Sequence, residues 1–401
     1  MLTRHPRRRA ITTNLYGIIG TGQSLSVGAR AGGVPYDPIV TTTTNALVLR
    51  GMSDGAGGYL PPNTWSVVPL TEPLRGDGLT STTIWPTNVA AQSPHAAMSN
   101  EIAIAHPAAI LFHHVVGQDG QGMDGIKKGG SVPSYAGSIL EVTRANAHVT
   151  AAGFRYVVVA VALTHGETDY GSATYEADML QLLADYNADV KAITGQTRDI
   201  RMIFTQPSAG WPRPAGEASN IPDTMLTAWL NHPDKFLLVG PKTGYSYAPS
   251  VPTPPNDFHL DAAGTCAMGT EYGKAISRMM SGLPDIAPLY PLSATVNPPG
   301  TVVTVTLNRA VQIDNSLYGD THLTQHTSWR DGAGFEIRNS GGTALGISSI
   351  SVSGAVVTIN VASGTPATVS YTLFGDGPGT IRRGKIRDAD GRWLVQFSRS
   401  L

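Results

Sequence analysis

The sequence predicts an α/β protein with a doubly wound parallel sheet, followed by a smaller C-terminal antiparallel β-sandwich. In the first part of the chain, continuous apolar runs alternate with segments of helical periodicity. Such runs are typical of parallel strands that are buried on both faces between layers of helices. From about residue 290, apolar residues alternate singly with polar ones between Gly- and Asn-containing turns. That pattern is typical of antiparallel sheets with one buried face.

Strands of the parallel sheet are predicted from the apolar runs at 15–21, 108–117, 155–166, 200–207 and 235–241. Helices are predicted between them. Met179, Leu183 and Tyr186 recur at helical spacing, and segments 134–153 and 260–280 begin or end with helix signals. Because each strand is followed by a helix, the carboxyl ends of the strands are expected to lie at one edge of the sheet.

The predicted domain organisation has four parts: an N-terminal tail (1–13), the α/β domain (14–283), a proline-rich joint (284–300) and the β-sandwich (301–401). Within the last part, 301–307, 356–361 and 368–375 read as alternating strands. Residues 30–100 are rich in Gly, Pro and Thr. They are expected to be an irregular insertion that lies over the carboxyl edge of the sheet, or else an ordinary surface loop.

Composition excludes several function classes. Charged residues are only 14% of the chain and the net charge is −1, so no basic stripe is present for nucleic acid. A lone cysteine, Cys266, cannot form an intrachain disulfide or a zinc site of several thiolates. No run of about 18 apolar residues predicts a membrane span. We expect neither a metal nor another cofactor.

The N-terminus carries a basic cluster without an apolar run behind it, so no complete signal peptide is expected. Secreted, cytoplasmic and virion-associated locations all remain open, and an extracellular or virion-associated one is favoured. The sequence does not indicate an oligomeric state.

The stretch YGIIGTGQSLSVG (16–28) is an apolar strand that enters a glycine turn. A dinucleotide fingerprint would need a third glycine after Gly20 and Gly22, but Leu25 occupies that position. A Walker-type GK[ST] sequence is also missing. The turn therefore favours the alternative, a platform for the nucleophilic serine Ser24.

A serine nucleophile needs a histidine base and donors for the oxyanion. HGETD (165–169) lies at the end of the third predicted strand, and His259 stands in PPNDFHLDAAG, just before a predicted helix. These places and Ser24 should all open on the same edge of an α/β sheet. The H-x-E of His165 and Glu167 also matches zinc deaminases, but those need two further thiolates.

GQS, HGETD and DFHLDAAG, in this order, resemble the motif blocks of the SGNH (GDSL-like) hydrolases. Most similar is the branch of sialate O-acetylesterases and plant-type acetylxylan esterases, whose blocks read like GQSN, GGT, QGESD and DxxH. DGQGMDGIKKGG (119–130) corresponds to the second block in this resemblance. The resemblance covers residues 14–283 and implies a three-layer, SGNH-type doubly wound sheet.

The resemblance also implies roles for individual residues. Ser24 would be the nucleophile, and His259 the general base and then the acid for the leaving alcohol. The oxyanion would be bound by the N–H groups of Ser24 and Gly120 and by a third donor. The family has a side-chain amide in that third place, where this chain has His165.

The acid of the family stands three residues before the histidine, where this chain has Asn256. Either Asp257 turns inward to orient His259, or a backbone carbonyl does so and the site is a dyad. We favour Asp257. Supporting roles are assigned to Gln23, Glu167, Asp169 and Asn256, with Glu167 and Asp169 expected to fix their loop by bonding backbone N–H groups.

The resemblance thus implies a serine esterase that removes acetyl groups from a carbohydrate, so an acetylated glycan is the expected substrate. One alternative is a non-catalytic carbohydrate-binding or virion surface protein on a decayed hydrolase scaffold, which Asn256 and His165 would suit. Another is a short-chain lipase or thioesterase that uses the same residues.

Overall fold

The computed structural model describes residues 14–28, 39–40, 42–50, 65–74, 92–208, 218–247, 259–316, 332–374 and 381–401. Its first part is built on one sheet, whose strands are β1 (Asn14–Gly22), β2 (Thr42–Arg50), β3 (Ser66–Thr71), β4 (Ile110–Val115), β5 (Arg155–Thr164), β6 (Arg201–Gln206) and β7 (Phe236–Pro241). Their spatial order is β3-β2-β4-β1-β5-β6-β7. All neighbours pair in parallel except β3, which runs antiparallel to β2.

Helices cover both faces of this sheet. They are α1 (Pro94–Ala105), α2 (Met123–Ile126), α3 (Ser134–Ala151), α4 (Tyr175–Thr194), α5 (Ile221–Asn231) and α6 (Ala262–Met280). Buried residues of α3, α4 and α5 share one apolar cluster with one face of the strands, and those of α1 and α6 share another with the opposite face. The result is a three-layer α/β/α arrangement. Among the described residues, no helix combines the length and apolar character needed to cross a bilayer.

The five strands and three helices read from apolar periodicity are confirmed to within a few residues. The irregular insertion expected at 30–100 is wrong for two segments, because β2 and β3 are strands of the main sheet. β2 begins with the polar run 42–45, and its apolar run, 46–49, has only four residues. Helices α1 and α5 were also not predicted.

The C-terminal part is built from antiparallel strands: β8 (Pro291–Val296), β9 (Val302–Leu307), β10 (Val311–Ile313), β11 (Phe335–Arg338), β12 (Ala344–Leu345), β13 (Ile347–Ser353), β14 (Val356–Val361), β15 (Thr368–Tyr371), β16 (Ile386–Asp388) and β17 (Phe397–Ser400). Two four-stranded sheets have the orders β13-β14-β9-β8 and β12-β11-β15-β17, and β10 pairs with β16. Val305 and Ile359 of the first sheet and Ile337 and Tyr371 of the second are buried in one apolar cluster.

Residues 284–300 are more than the joint expected from their prolines. β8 lies within this range and pairs with β9, with Ala294 opposite Val305. Proline at the first position of β8 needs no ladder hydrogen bond, so Pro291 can begin an edge strand. The second half of the expected joint is therefore part of the C-terminal sheets.

The C-terminal part is attached to the α/β part by buried polar contacts. Gln396 N–H donates to Gln206 Oε1 at 2.7 Å, and Gln206 Nε2 donates to Gln396 O at 2.9 Å. Arg382, which is fully buried, donates from Nε to Ser208 O at 3.0 Å. Gln206 ends β6 and Ser208 lies two residues later, so these contacts meet the carboxyl edge of the main sheet.

Candidate active site

The strand-to-turn geometry at the end of β1 places Ser24 at the carboxyl edge. Gly22 has φ +130°, and a Cβ there would lie 2.0 Å from Thr164 O, so a side chain would collide with the end of β5. Gln118 N–H donates to Gly22 O at 2.9 Å, which ties the turn to the loop after β4. Ser24 then begins a short 3₁₀ helix, Ser24–Ser26, whose first N–H groups have no acceptor within the helix.

Ser24 and His259 are in hydrogen-bond contact. Ser24 Oγ lies 2.9 Å from His259 Nε2, and the two residues are 2% and 4% exposed. Within this distance, the imidazole can accept the hydroxyl proton when the serine attacks. The structure thus brings together the two residues that the sequence placed in the first and last motif blocks.

The two residues after His259 hold its backbone in place. Leu260 forms an antiparallel bridge with Tyr247, and Asp261 caps α6 by accepting from Gly264 N–H at 2.7 Å. An aspartate cap is favourable because it satisfies an N–H that the helix itself leaves open. The backbone that follows His259 is therefore held in place at the start of α6.

Gln23 links the nucleophile turn to the loop after β5. Its N–H donates to Thr164 O at 3.1 Å. Its side-chain Oε1 accepts from Thr168 Oγ1 at 3.1 Å and from Thr168 N–H at 3.4 Å. The supporting role expected of Gln23 therefore has a definite geometry, in which it braces the HGETD loop against the turn that carries Ser24.

His165 makes hydrogen bonds that differ from the expected role of an oxyanion donor. Its Nε2 lies 3.0 Å from Gln121 O, and its Nδ1 lies 2.9 Å from the Tyr175 hydroxyl and 3.3 Å from Asp169 Oδ2. Because a carbonyl oxygen only accepts, Nε2 carries the proton that bonds Gln121. Both ring nitrogens are thus engaged with protein groups.

Burial lowers the pKa of His165, and the nearby Asp169 carboxylate opposes that shift. The ring is fully buried and stacks on Tyr175 with centroids 5.9 Å apart. Because desolvation disfavours the charged form, the imidazole is neutral near pH 7. Its donating atom is then Nε2, directed at Gln121.

Glu167 and Asp169 have different partners. Asp169 Oδ1 accepts from the N–H of Met123, the first residue of α2, at 2.9 Å, so it binds a backbone N–H as expected. Glu167 instead forms a fully buried ion pair, with Oε1 at 2.6 Å from Lys242 Nζ. Lys242 was not predicted from the sequence, although its position directly after the apolar run 235–241 was a usable signal.

Gly120 lies in the loop between β4 and α2 with φ +66°, a conformation that favours glycine, and a Cβ there would meet no atom within 4 Å. Hydrogen bonds anchor this loop on both sides. Gln118 binds the turn that carries Ser24, and Gln121 and Met123 bind the HGETD loop.

Asn256 and Asp257 lie outside the described residues. Among the described residues, no group of His, Cys, Asp or Glu side chains is arranged to hold a metal ion.

Comparison with solved structures identifies proteins of similar fold. No protein-family model matches the chain, and no curated protein does so either. A carbohydrate acetylesterase from Xanthomonas citri superposes with a TM-score of 0.56 at 12% identity, covering 96% of this chain and 80% of that one. NanS gives a TM-score of 0.45 at 14% identity, covering 68% of this chain and 99% of its own.

A protein from Arabidopsis thaliana gives a TM-score of 0.46 at 16% identity, covering 65% of this chain and 97% of that one. At these identities a likeness concerns the fold alone. The Xanthomonas citri structure shares its fold with nearly the whole of this chain, including the C-terminal sheets.

Proposed function

We propose that this chain is a serine esterase that hydrolyses O-acetyl esters of a carbohydrate through an acyl-enzyme. The observation that carries the proposal is the 2.9 Å contact between Ser24 Oγ and His259 Nε2 at the carboxyl edge of a parallel sheet. The fold shared with a carbohydrate acetylesterase supports the reaction class. The acetyl group and the sugar rest on that likeness and on the motif resemblance.

The first half-reaction follows from this contact. Ser24 Oγ attacks the ester carbonyl carbon while its proton passes to His259 Nε2. The carbonyl oxygen becomes an oxyanion, for which the N–H groups of Ser24 and Gly120 are the proposed donors. When the tetrahedral intermediate collapses, His259 gives the proton to the leaving alcohol oxygen and Ser24 remains acetylated.

The second half-reaction uses the same groups. His259 takes a proton from water, the hydroxyl attacks the acetyl-Ser24 carbonyl, and the ester bond to Oγ breaks. The proton returns from Nε2 to Ser24 Oγ and acetate leaves. The imidazolium that forms twice in this cycle needs a partner at Nδ1, and Asp257 is proposed for that place.

Substrate class and catalytic residue are tested together. Acetate release is measured from acetylated xylo-oligosaccharides, O-acetylated sialic acid and an acetyl thioester, and 4-nitrophenol release is measured from 4-nitrophenyl acetate, butyrate and octanoate. We expect the acetyl esters of sugars to be turned over best. Ser24→Ala should lower kcat by roughly three orders of magnitude or more, with the fold intact.

Ser26→Ala is the matched control. Ser26 lies in the same buried 3₁₀ turn, and its Oγ donates to Gln23 O at 2.6 Å. We expect its activity to stay within about tenfold of the wild type. A preference for octanoate or for the thioester would favour the lipase or thioesterase alternative. A wild-type protein that binds acetylated glycans but hydrolyses no ester would favour the non-catalytic one.

A further inference from the structure

The loop that carries Gly120 is clamped by the HGETD loop at two points. His165 Nε2–H donates to Gln121 O at 3.0 Å, and Met123 N–H donates to Asp169 Oδ1 at 2.9 Å. The two bonded backbone groups lie one and three residues beyond Gly120. The backbone that follows Gly120 is therefore determined by side chains from the end of β5.

The clamping side chain is itself rigid. His165 is fully buried, lies parallel to the Tyr175 ring within 9°, and meets the Tyr175 hydroxyl at 2.9 Å. Tyr175 is the first residue of α4 and is also fully buried. An imidazole held on both nitrogens and on one face has little rotational freedom. Tyr175 of α4 thus positions the His165 ring, and the ring positions Gln121 O.

The same loop also determines the position of the nucleophile turn. Thr168, three residues after His165, donates to Gln23 Oε1, and Gln23 N–H donates to Thr164 O, one residue before His165. Ser24 follows Gln23 directly. One short loop thus contacts both segments that carry the proposed oxyanion N–H groups.

We infer that His165 is a positioning residue, which holds the Gly120 N–H at its working distance from Ser24 through Gln121 and does not itself donate to the oxyanion. The inference rests on the proposed function, because it assigns His165 a role in that reaction. Its physical basis is that an oxyanion donor contributes only when it is preorganised. The neutral imidazole carries one N–H, at Nε2, and this N–H already donates a hydrogen bond to Gln121 O.

The kinetic test compares three variants in the full-length protein with 4-nitrophenyl acetate as the substrate. His165→Leu removes the donor and should lower kcat by about a hundredfold with KM nearly unchanged, as for loss of an oxyanion donor. His165→Gln offers an amide N–H to Gln121 O and should recover kcat to within about tenfold. His148→Leu, on the exposed side of α3, is the control and should match the wild type.

The deciding measurement is amide hydrogen exchange in residues 118–123, which does not depend on turnover. Under the inference, His165→Leu speeds exchange there while the rest of the sheet stays protected, and His165→Gln restores protection. If His165→Leu does not fold, His165→Asn, which is too short to reach Gln121 O, takes its place. A loss of kcat without faster exchange in 118–123 would make His165 a direct donor and overturn the inference.

This readout also separates the inference from the proposed function. If no ester is hydrolysed by the wild type, the proposed esterase fails. Exchange in 118–123 would still respond to His165→Leu if the imidazole holds that loop. Unchanged exchange in a folded His165→Leu variant contradicts the inference, whatever the activity.

Discussion

His259 Nε2 lies 2.9 Å from Ser24 Oγ although 235 residues separate the two in the chain. Ser24 follows the central strand β1, and His259 precedes α6, which packs on the face of the sheet that also holds α1. The contact therefore depends on the whole α/β layer arrangement. Because Nε2 faces the serine, any group that orients the ring has to act at Nδ1.

The first prediction concerns that group. Asp257→Asn is expected to lower kcat by about two to four orders of magnitude, because an amide cannot stabilise the imidazolium that forms during attack. Asn256→Ala should cost far less. Both are measured as kcat on acetyl esters, with thermal unfolding as the control for folding. The reverse ranking would make the site a dyad oriented by a backbone carbonyl.

The second prediction concerns the buried ion pair of Lys242 and Glu167. Lys242→Met leaves the carboxylate of Glu167, which is 2% exposed, without its cation. This should destabilise the protein by about 3–5 kcal/mol. The double variant with Glu167→Leu should recover much of that loss, since no charge then stays buried. Urea unfolding of the wild type, the two single variants and the double variant measures the effect, and additive losses would show that the residues act separately.

The third prediction concerns the attachment of the C-terminal sheets. Arg382 is fully buried and donates to Ser208 O at 3.0 Å and to Leu373 O at 2.6 Å. Arg382→Leu removes both side-chain bonds, while the backbone N–H of residue 382 still donates to Ser208 O at 2.9 Å. It should cost on the order of 3 kcal/mol of unfolding free energy.

Lys191→Ala is the control for Arg382→Leu, because it removes an ion pair with the exposed Asp199 and should cost less than about 1 kcal/mol. Both variants are measured by urea unfolding.

We further expect a chain that ends at residue 288 to be unstable, since Gln206 would lose its bonds to Gln396. A stable, active chain of that length would show that the C-terminal sheets are an independent module.

The fourth prediction concerns the pH dependence of stability. Burial raises the pKa of Glu72 from 4.5 to about 7, against hydrogen bonds from Ser93 and Leu74 that lower it. Between these pH values the folded state holds the proton more tightly than the unfolded chain does. This contribution to stability is therefore complete below about pH 4.5 and is lost as the pH rises through about 7.

Glu72→Gln removes this titration. The stability of the wild type relative to the variant should fall as the pH rises from about 4.5 to about 7.5, as measured by urea unfolding at both values. Asp199→Asn, at an exposed carboxylate, is the control and should show a much smaller change. A wild-type advantage that is constant with pH would mean that Glu72 does not titrate in this window.

The sequence by itself determined the elements whose signal is local. Strands β1, β4, β5, β6 and β7 are continuous apolar runs, and such a run reports burial on both faces wherever the strand lies. The same locality let the sequence place Ser24 after a glycine turn and His259 before a helix start. It did not identify β2, whose first residues, 42–45, are polar and whose apolar run, 46–49, has only four residues within a Thr-rich segment.

Only the tertiary structure decided what the polar side chains of the site bond to. His165 donates to Gln121, 44 residues away, and Glu167 pairs with Lys242, 75 residues away. Neither partner follows from a residue's own neighbours, since both depend on which strand ends meet at the carboxyl edge. Arg382 reaches across 174 residues to Ser208 for the same reason. The local periodicity of apolar residues predicts which of them are buried. A hydrogen bond needs two particular groups to meet, and only the packed fold brings these groups together.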